Sequence, residues 1–331
     1  MAKNSSIGRE KRSSYRFYLG VDGGGTKTQI ALIDGAGKIT AEGTSGPSNP
    51  LRVGVETAVA NIAKAVDSAC DIAGISRGDI VAATLGLAGV RRIDIRERIR
   101  DSFVSRYHVD HIFITTDAEI ALFGTTLGDQ GLVVIAGTGS VCLGQNARGE
   151  TAIAGGWGPL AGDEGGGRNI AEMALHGVAK ASDGRGVETR LSEKALEYFR
   201  ASSVENLLVA IYSPQMDNSR VAGFARYVVG SAIDGDELAV DIITNAGREL
   251  GSAARAVITK LQLADQKVPV GCVGSIFKAG EILTRPMARE IHKVAKMAYL
   301  TEPVMAPSHA AAFMALKSGK ELTGKSVKTR T

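Results

Sequence analysis

Cysteine, proline and aromatic residues are scarce in this chain of 331 residues, which has 3 cysteines, 8 prolines and a single tryptophan. Cys70, Cys142 and Cys272 lie far apart and form no Cys-x-x-Cys pair, which excludes a disulfide framework and a paired zinc or redox site. This cysteine usage indicates a reducing cytosol. An aromatic content of 5% argues against a surface that stacks nucleic-acid bases.

Long apolar runs are also absent. No stretch approaches the roughly 18 apolar residues that a membrane-spanning helix needs, and the N-terminus lacks the apolar core of a secretory signal. We therefore expect a cytoplasmic protein that does not enter a membrane. Hydrophobic residues at 44% and charged residues at 22%, with 41 glycines, describe a glycine-rich globular protein. Its length predicts about two domains.

The basic charge of the chain lies at its two ends. The net charge is +4 at pH 7, but residues 1–16 and 317–331 each carry five basic residues against one acidic residue. Residues 17–316 therefore have a net charge of −4, which argues against nucleic acid as a partner of the folded body. We expect residues 1–15 and 319–331 to be disordered tails.

The order of strand and helix signals predicts an α/β fold. From Phe17 onward, short apolar runs joined by glycine turns indicate a β-meander, and an amphipathic segment from Val59 to Ala73 indicates a helix. Further apolar strands then alternate with helices. The second half of the chain is mostly helical, with long helices expected at 190–211 and 236–262. This alternation is typical of mixed sheets flanked by helices.

The opening pattern recurs once, further along the chain, at a fixed offset. Gly25 aligns with Gly137 and Thr26 with Thr138, and in each copy an apolar strand enters a Gly/Thr loop from which a second strand leaves. At the same offset, the glycine turn that follows in the first copy recurs in the second. Such self-similarity predicts two related domains, each carrying one glycine loop.

Both glycine loops have the composition of a phosphate cradle. Asp22-Gly-Gly-Gly-Thr26 and Ala136-Gly-Thr-Gly-Ser140 lie between predicted strands, where the missing side chains let a phosphate approach the backbone amides. For one such loop alone, an ordinary hairpin turn is the alternative. The sequence contains neither a P-loop nor a Gly-x-Gly-x-x-Gly leading into a helix, so a Walker-type NTPase and a Rossmann dehydrogenase lose their main support.

Asp117 directly follows an apolar strand, in the sequence Thr115-Thr-Asp-Ala118. Strand ends are where α/β proteins place ligand-binding and catalytic residues, and a carboxylate there can accept the proton of a substrate hydroxyl. The alternative is that Asp117 only caps the helix that follows it.

The segment 155–165 is rich in glycine and contains the tryptophan, in Gly155-Gly-Trp-Gly158 and Gly162-Asp-Glu-Gly165. Such a stretch makes a poor core and a good binding loop. An indole face beside acidic side chains and backbone amides suits a sugar, which needs an apolar platform next to directional polar groups. A buried tryptophan among tight turns is the alternative.

Five motifs occur in a familiar order: DGGGT, TTDA, AGTGS, GGWGxxxGDEG and CVGS. Together they resemble the N-acetylglucosamine kinase branch of the sugar-kinase/Hsp70/actin superfamily, which includes the BadF/BadG/BcrA/BcrD ATPases, from about Tyr18 to Phe313. The resemblance implies two actin-like (ribonuclease H-like) domains with mixed β-sheets flanked by helices, hinged about a central cleft. Residues 16–117 with 306–318 would form the first domain and residues 118–305 the second. It also implies a kinase that takes ATP, Mg²⁺ and an amino sugar, and it is compatible with a homodimer.

The same resemblance assigns roles to individual residues. It implies Asp117 as the general base on the sugar 6-hydroxyl and Asp22 as the residue that holds Mg²⁺ through water. ATP and its phosphates would contact Asp22, Gly24, Gly25, Thr26, Lys27, Gly137, Thr138, Gly139, Ala222, Gly274 and Ser275. The sugar would contact Asn49, Asp117, Thr138, Gly156, Trp157, Gly158 and Asp163.

Two departures from the family pattern leave the sugar open. Leu87-Ala-Gly-Val90 stands where the animal enzymes have a serine before a Gly-Gly pair, and the aromatic residue that follows the asparagine in those enzymes is missing after Asn49. Glucosamine, N-acetylglucosamine and sugars of the N-acetylmuramic type all remain candidates. Two other functions stay open: an ATPase activator of the dehydratase-activator type, which needs cysteines for an iron–sulfur cluster, and a non-catalytic sugar or nucleotide sensor on the same fold.

Overall fold

The computed structural model describes residues 16–107, 109 and 111–328. The N-terminal tail expected at 1–15 lies outside the described residues. Those that are described divide into two compact units, 16–120 with 306–328 and Ala121–Met305. Among them, no helix is both long enough and apolar enough to cross a membrane.

The first unit is built on a mixed five-stranded sheet. Its strands are β1 Phe17–Gly23, β2 Thr28–Asp34, β3 Ile39–Ser45, β4 Ile80–Leu87 and β5 His111–Thr116, in the order β3-β2-β1-β4-β5. The first three strands form an antiparallel meander, and β4 and β5 continue the sheet parallel to β1. The helices that follow these strands are α1 Pro50–Val53, α2 Val55–Ala73, α3 Ile93–Tyr107 and α4 Asp117–Thr126.

The second unit repeats this topology. Its strands are β6 Gly131–Ala136, β7 Ser140–Gln145, β8 Thr151–Gly155, β9 Pro269–Val273 and β10 Tyr299–Thr301, in the order β10-β9-β6-β7-β8. The meander is again antiparallel, and the last two strands are again parallel to the first. Strands β7 and β8 follow β2 and β3 at the same offset that relates the two glycine loops, so the predicted duplication is confirmed.

Seven helices are inserted among the strands of the second unit: α5 Gly167–Ser182, α6 Leu191–Phe199, α7 Val204–Ile211, α8 Asn218–Ala222, α9 Ala225–Ile233, α10 Glu237–Lys260 and α11 Glu281–Ile291. The single long helix expected at 190–211 is wrong. Arg200 adopts a left-handed conformation with φ 56° and ends α6. Ser203 then caps α7 by accepting a hydrogen bond from the backbone N–H of Asn206, so the chain turns between the two helices.

The last helix, α12 Pro307–Lys328, packs on the first sheet. It continues past residue 318, where we expected the first domain to end and a disordered tail to begin. Gly319 lies against the ring of Tyr18 and near Ala82, so the apolar contact with the sheet reaches beyond that point. Residues 329–331 lie outside the described part of the chain.

The three cysteines lie in or against the hydrophobic cores. Cys70 belongs to the core beneath α2, Cys142 lies in the core of the second unit, and the half-buried Cys272 packs against that second core. The interpretation of all three as small core residues is therefore confirmed.

The packing of α12 on β1 generates a stability prediction. A methyl group at Gly20 would overlap the backbone of Ser308 and Ala312, so we expect Gly20→Ala to lower the free energy of unfolding by about 1–3 kcal/mol. A methyl group at Gly230, inside α9, would meet no neighbour within 4 Å, and Gly230→Ala should raise the free energy of unfolding by about 0.5–1 kcal/mol. Urea denaturation of both variants checks this, and equal stabilities would contradict the close packing of α12.

Candidate active site

The first glycine loop, Gly24–Lys27, is a tight turn between β1 and β2. The N–H of Gly24 donates to the carbonyl oxygen of Lys27 over 3.0 Å, which closes the turn. The carbonyl oxygen of Gly24 accepts from the N–H groups of Ser48 and Asn49 over 3.0 and 3.1 Å, which anchors the loop from the other side. The side chains of Thr26 and Lys27 remain exposed. The loop is therefore held rigidly at its base and open at its tip, as a phosphate cradle requires.

The short helix α1 braces this loop, a feature that sequence reasoning missed. The guanidinium of Arg52 donates to the carbonyl oxygen of Gly25 over 3.0 Å. Asn49 is the N-cap of α1, because its side-chain oxygen accepts from the N–H of Leu51 over 3.0 Å. A side chain at Gly89, which has φ +82°, would run into Asn49. Asn49 thus lies between the first glycine loop and the segment that follows β4.

Asp117 is the first residue of α4 rather than its cap. Thr116 and Glu119 form a capping box: Glu119 accepts from the N–H and hydroxyl of Thr116 over 2.7 and 2.8 Å, and the Thr116 oxygen accepts from the N–H of Glu119 over 3.2 Å. The Thr-x-x-Glu pattern in the sequence is the signal that could have predicted this cap. Among the contacts described for it, the carboxylate of Asp117 accepts only local backbone hydrogen bonds, from the N–H of Ala118 over 3.0 Å and from its own N–H. Thr116, and not Asp117, therefore caps α4.

Asp22 and Asp117 lie close enough to repel each other. Asp22 is opposite Gly86 on β4, and Asp117 directly follows β5, the other neighbour of β4. Burial and the negative charge of Asp117 raise the pKa of Asp22 to about 6, against the opposing effect of Lys27. Burial likewise raises the pKa of Asp117 above its ordinary value. Carboxylates with raised pKa values are concentrated at functional sites, so Asp22 and Asp117 mark these strand ends as a candidate site.

The donor set at this site suits a hard cation that keeps most of its water. Among residues 16–107, 109 and 111–328, no group of three or more His, Cys, Asp or Glu side chains could enclose a metal ion. Mg²⁺ commonly binds through one or two carboxylates together with substrate phosphates and waters. The Asp22–Asp117 pair beside a glycine loop fits that form of binding.

The second glycine loop, Gly137–Gly139, is built into the start of α5. The N–H of Gly137 donates to the carbonyl oxygen of Gly139 over 2.9 Å. The carbonyl oxygens of Gly137 and Thr138 accept from the N–H groups of Gly167 and Arg168 over 2.8 and 2.9 Å. These bonds use the first amides of α5 to fix the loop, while the side chain of Thr138 stays exposed.

The residues implied near adenosine lie beside this second loop. A methyl group at Gly167 would be 3.2 Å from the carbonyl oxygen of Ala222. Gly274 has φ +115°, and a side chain there would collide with the backbone of Ala136, so the close approach requires glycine. Ser275 is exposed and begins a short 3₁₀ helix directly after Gly274. The structure therefore brings Ala222, Gly274 and Ser275 to the end of β6.

The tryptophan loop, Gly156–Gly166, connects β8 with α5. Trp157 is 73% exposed and Leu160 is fully exposed, so the interpretation of a buried tryptophan is wrong. The loop is tied to the second sheet because the N–H of Gly156 donates to the carbonyl oxygen of Ser140 over 2.9 Å. An exposed indole on an anchored loop offers an apolar face to a ligand.

Asp163 is the acidic side chain of this loop that turns inward. Its carboxylate accepts hydrogen bonds from the backbone N–H groups of Gly158 and Ser140, and burial raises its pKa. A methyl group built on Gly139 would fall against the Asp163 carboxylate. The aspartate therefore lies where the tryptophan loop and the second glycine loop meet.

Comparisons with curated proteins place the chain among sugar-phosphorylating relatives. The sequence model of the BadF/BadG/BcrA/BcrD ATPase family matches residues 19–315. The N-acetylmuramic acid/N-acetylglucosamine kinase of Clostridium acetobutylicum is 32% identical over 261 residues, which cover 79% of this chain and 85% of the relative. The N-acetyl-D-glucosamine kinase of Dictyostelium discoideum is 31% identical over 327 residues, which cover 93% of this chain and all of the relative.

Solved structures show the same fold at lower identity. A protein from Chromobacterium violaceum with the proposed name N-acetylglucosamine kinase matches with a TM-score of 0.75 and 24% identity, over 91% of this chain and 99% of that one. A ROK family glucokinase from Streptomyces griseus, solved with glucose and AMPPNP, matches with a TM-score of 0.56 and 16% identity, over the same shares of the two chains. The expected two-domain actin-like fold with mixed sheets is confirmed by these matches.

The raised pKa of Asp22 generates a stability prediction that needs no substrate. The pKa of Asp22 is about 6 in the folded state and 3.8 ordinarily. Asp22 therefore makes its full contribution to the free energy of unfolding below pH 3.8, and that contribution is lost as the pH rises through about 6. We expect Asp22→Asn to raise the free energy of unfolding at pH 8 by about 2–3 kcal/mol and to lose that gain as the pH falls toward 4. Urea denaturation at several pH values measures it. A gain that is equal at all pH values, or absent at pH 8, would contradict the raised pKa.

Proposed function

This chain belongs to the BadF/BadG/BcrA/BcrD ATPase family, and on that premise we propose that it transfers the γ-phosphate of ATP to the 6-hydroxyl of an amino sugar. The observation that carries the proposal is the pair of carboxylates Asp22 and Asp117, which both have raised pKa values. They lie at the ends of strands in a unit that also holds a glycine loop. The names of the curated relatives support a substrate of the N-acetylglucosamine or glucosamine class.

Asp117 acts as the general base in this proposal. Its carboxylate accepts the proton of the sugar 6-hydroxyl while the sugar oxygen forms a bond to the γ-phosphorus and the bond from that phosphorus to the ADP oxygen breaks. Burial raises the pKa of Asp117, which makes the ionised group a stronger base near neutral pH. The capping box of Thr116 and Glu119 fixes the start of α4 and with it the position of the base.

The glycine loops act on the phosphates. Phosphoryl transfer needs positioning and charge neutralisation more than covalent chemistry, and the backbone of Gly24–Lys27 and Gly137–Gly139 offers such a frame. Asp22 would hold Mg²⁺ through water, and that ion would neutralise charge on the ATP phosphates when bound. Ala222, Gly274 and Ser275 would border the adenosine, in agreement with their place beside β6.

Asn49 and the tryptophan loop are the proposed contacts of the amino sugar. Asn49 is fixed by its cap on α1 and by its contact with Gly89, so its amide has a defined direction. Trp157 offers an exposed apolar face, and the neighbouring Gly156 and Gly158 leave the backbone accessible.

The chemistry of the cysteines weighs against an iron–sulfur activator. Cluster ligation requires several thiolates at one site, whereas Cys70 lies in the core of the first unit and Cys272 packs against the core of the second. Cys142 is fully buried in the core of the second unit. The acidic pair at the first sheet, in turn, weighs against a pure sensor, which has no need of a base.

The role of Asp117 is tested by Asp117→Asn. Loss of the base should lower kcat by about 10²- to 10⁴-fold and leave the affinity for ATP and for the sugar nearly unchanged. A coupled assay of ADP release over a panel of hexosamines measures turnover, and calorimetry measures binding. Asp71→Asn, which changes an exposed carboxylate near the end of α2, is the control and should behave as the wild type. Turnover of Asp117→Asn within a few-fold of the wild type would overturn the assignment.

The single tryptophan of the chain reports directly on the sugar. Because Trp157 is 73% exposed, covering its ring with an amino sugar should shift its emission to shorter wavelength and change its intensity. Titration of the protein with N-acetylglucosamine and with glucosamine, followed by fluorescence, measures the effect. Trp157→Phe should remove the signal. An emission spectrum that does not change at a sugar concentration that saturates turnover would exclude Trp157 as the platform.

A further inference from the structure

We propose that Arg96 is a positioning residue that joins the segment after β4 to the start of α4, and thereby fixes the proposed base Asp117 relative to the proposed sugar contact Asn49. The inference rests on the proposed function, because it adds a residue to the same site. It is carried entirely by contacts within the first unit. Arg96 lies on α3, outside the glycine loops and the motif that contains Asp117.

The guanidinium of Arg96 contacts both segments at once. Its Nε donates to the carbonyl oxygen of Val90 over 2.7 Å, and its Nη2 lies 3.6 Å from Oε2 of Glu119. The side chains of Arg96 and Glu119 are 31% and 40% exposed, and ion pairs this exposed add little to stability. The planar guanidinium presents its donors in a fixed fork, so the contact sets the distance between the two acceptors.

The segment that Arg96 holds after β4 packs against Asn49. The N–H of Ala88 donates to the carbonyl oxygen of Gly23 over 2.8 Å, directly before the first glycine loop. Gly89 has φ +82°, and a methyl group there would collide with the side-chain oxygen of Asn49. The position of this segment is therefore coupled to the position of Asn49.

Glu119 is the link from Arg96 to the start of α4. The carboxylate oxygen that faces Arg96 also accepts from the N–H and the hydroxyl of Thr116, over 2.7 and 2.8 Å. Burial opposes the ionisation of Glu119, but hydrogen bonds from two neighbouring threonines and the charge of Arg96 lower its pKa. Glu119 is therefore ionised at neutral pH and keeps both partners. Asp117 directly follows the threonine that Glu119 holds.

The proposed reaction needs these contacts for position. A general base must lie within hydrogen-bond reach of the hydroxyl that it deprotonates, and a displacement of about 1 Å caused far from the chemistry can lower the rate on the order of 10²-fold. In the contacts described for it, the Arg96 side chain bonds to neither glycine loop. Its loss should therefore affect the sugar and the base rather than the nucleotide.

The first test is Arg96→Met, which keeps an apolar stem and removes every donor of the side chain. We expect kcat to fall by about 10- to 100-fold and KM for N-acetylglucosamine to rise by about three- to tenfold, because the base and the sugar contact lose their common tie. The affinity for Mg²⁺·AMPPNP, measured by calorimetry, should stay within about threefold of the wild type.

Arg100→Met is the matched control. Arg100 lies one turn further along α3, and its guanidinium donates to the neighbouring Asp101 over 3.1 Å. This variant should have the kcat, the KM and the nucleotide affinity of the wild type. Hydrogen exchange compares the two variants without turnover. Peptides that contain Ala88 or Thr116 should exchange faster in the Arg96 variant only, because their segments lose the side chain that joins them.

Glu119→Gln breaks the same link from the other side. Glutamine also forms a capping box with Thr116, so α4 keeps its start, but it carries no charge to pair with Arg96. We expect kcat to fall by about three- to tenfold. In the double variant Arg96→Met/Glu119→Gln the loss of kcat should be smaller than the product of the two single losses. Losses that multiply would show two independent side chains and contradict the link.

The pH profile separates this role from a loss of stability. Burial raises the pKa of Asp117, and the negative charge of Glu119 adds to that effect. The buried Asp22, which faces Asp117 and Lys27, is the other acidic neighbour described at this position and is unchanged in the variant. In Glu119→Gln the acidic limb of kcat/KM should therefore shift to lower pH, whereas lower stability alone leaves it in place. An unmoved limb would contradict the link between Glu119 and the base.

Two results would overturn the role of Arg96. The first is an Arg96→Met variant whose kcat and KM stay within about twofold of the wild type. The second is an equal loss in Arg96→Met and Arg100→Met, which would show a general effect of removing charge from α3. If Arg96→Met does not fold, the kinetics and the pH profile of Glu119→Gln decide.

The failure of the proposed function would be seen separately. A wild type that binds Mg²⁺·AMPPNP but phosphorylates no hexosamine would overturn that function alone. Hydrogen exchange at Ala88 and Thr116 would still decide whether Arg96 joins the two segments, since unchanged exchange in Arg96→Met would overturn the inference without any measurement of turnover.

Discussion

Burial of two neighbouring carboxylates, Asp22 and Asp117, is the main electrostatic constraint on the site in the first unit. Each carboxylate loses hydration when the unit folds, and Asp117 adds its negative charge to the burial of Asp22. The fold holds both groups in place because each is fixed by backbone structure: Asp22 by the pairing of β1 with β4, and Asp117 by the start of α4. A cation with bound phosphates, or a proton taken from a substrate, would relieve the repulsion. Ionisation of both carboxylates therefore raises the free energy of the folded state, and such stored electrostatic strain is common at pre-organised sites.

The second unit achieves its pre-organisation through close backbone contacts. Gly274 allows the segment after β9 to touch the backbone of Ala136, and Gly166 allows the turn before α5 to touch Gly139. Each contact is closer than any residue with a side chain would permit. The glycine-rich composition of the chain therefore has a structural cause at these positions, because a rigid loop can present its amides only if neighbouring backbone supports it from behind.

The duplication and the placement of the two glycine loops could be predicted from the sequence, because strand periodicity and a motif that recurs at a fixed offset are both visible in the order of residues. The break between α6 and α7 was missed, because Arg200 is an unusual residue for a left-handed helix end and only the cap at Ser203 marks the restart. The exposure of Trp157 could not be predicted, since burial depends on what packs against a loop. The inward turn of Asp163 likewise depends on backbone amides that are distant along the chain or carry no sequence signature.

The two units share a topology but differ at the end of their last parallel strand, and this difference places the proposed base. In the first unit β5 ends at Thr116, and α4 begins at once with Asp117, whose carboxylate is thereby held at a helix start. In the second unit β10 ends at Thr301, the exposed Glu302 and then Pro303 follow, and the next helix begins only at Pro307. A proline directly after Glu302 disfavours helical backbone at that residue, so its carboxylate cannot be held as Asp117 is. The duplicated scaffold has therefore kept a glycine loop in both copies but a carboxylate fixed at a helix start in only one, so the proposed base has no counterpart after β10.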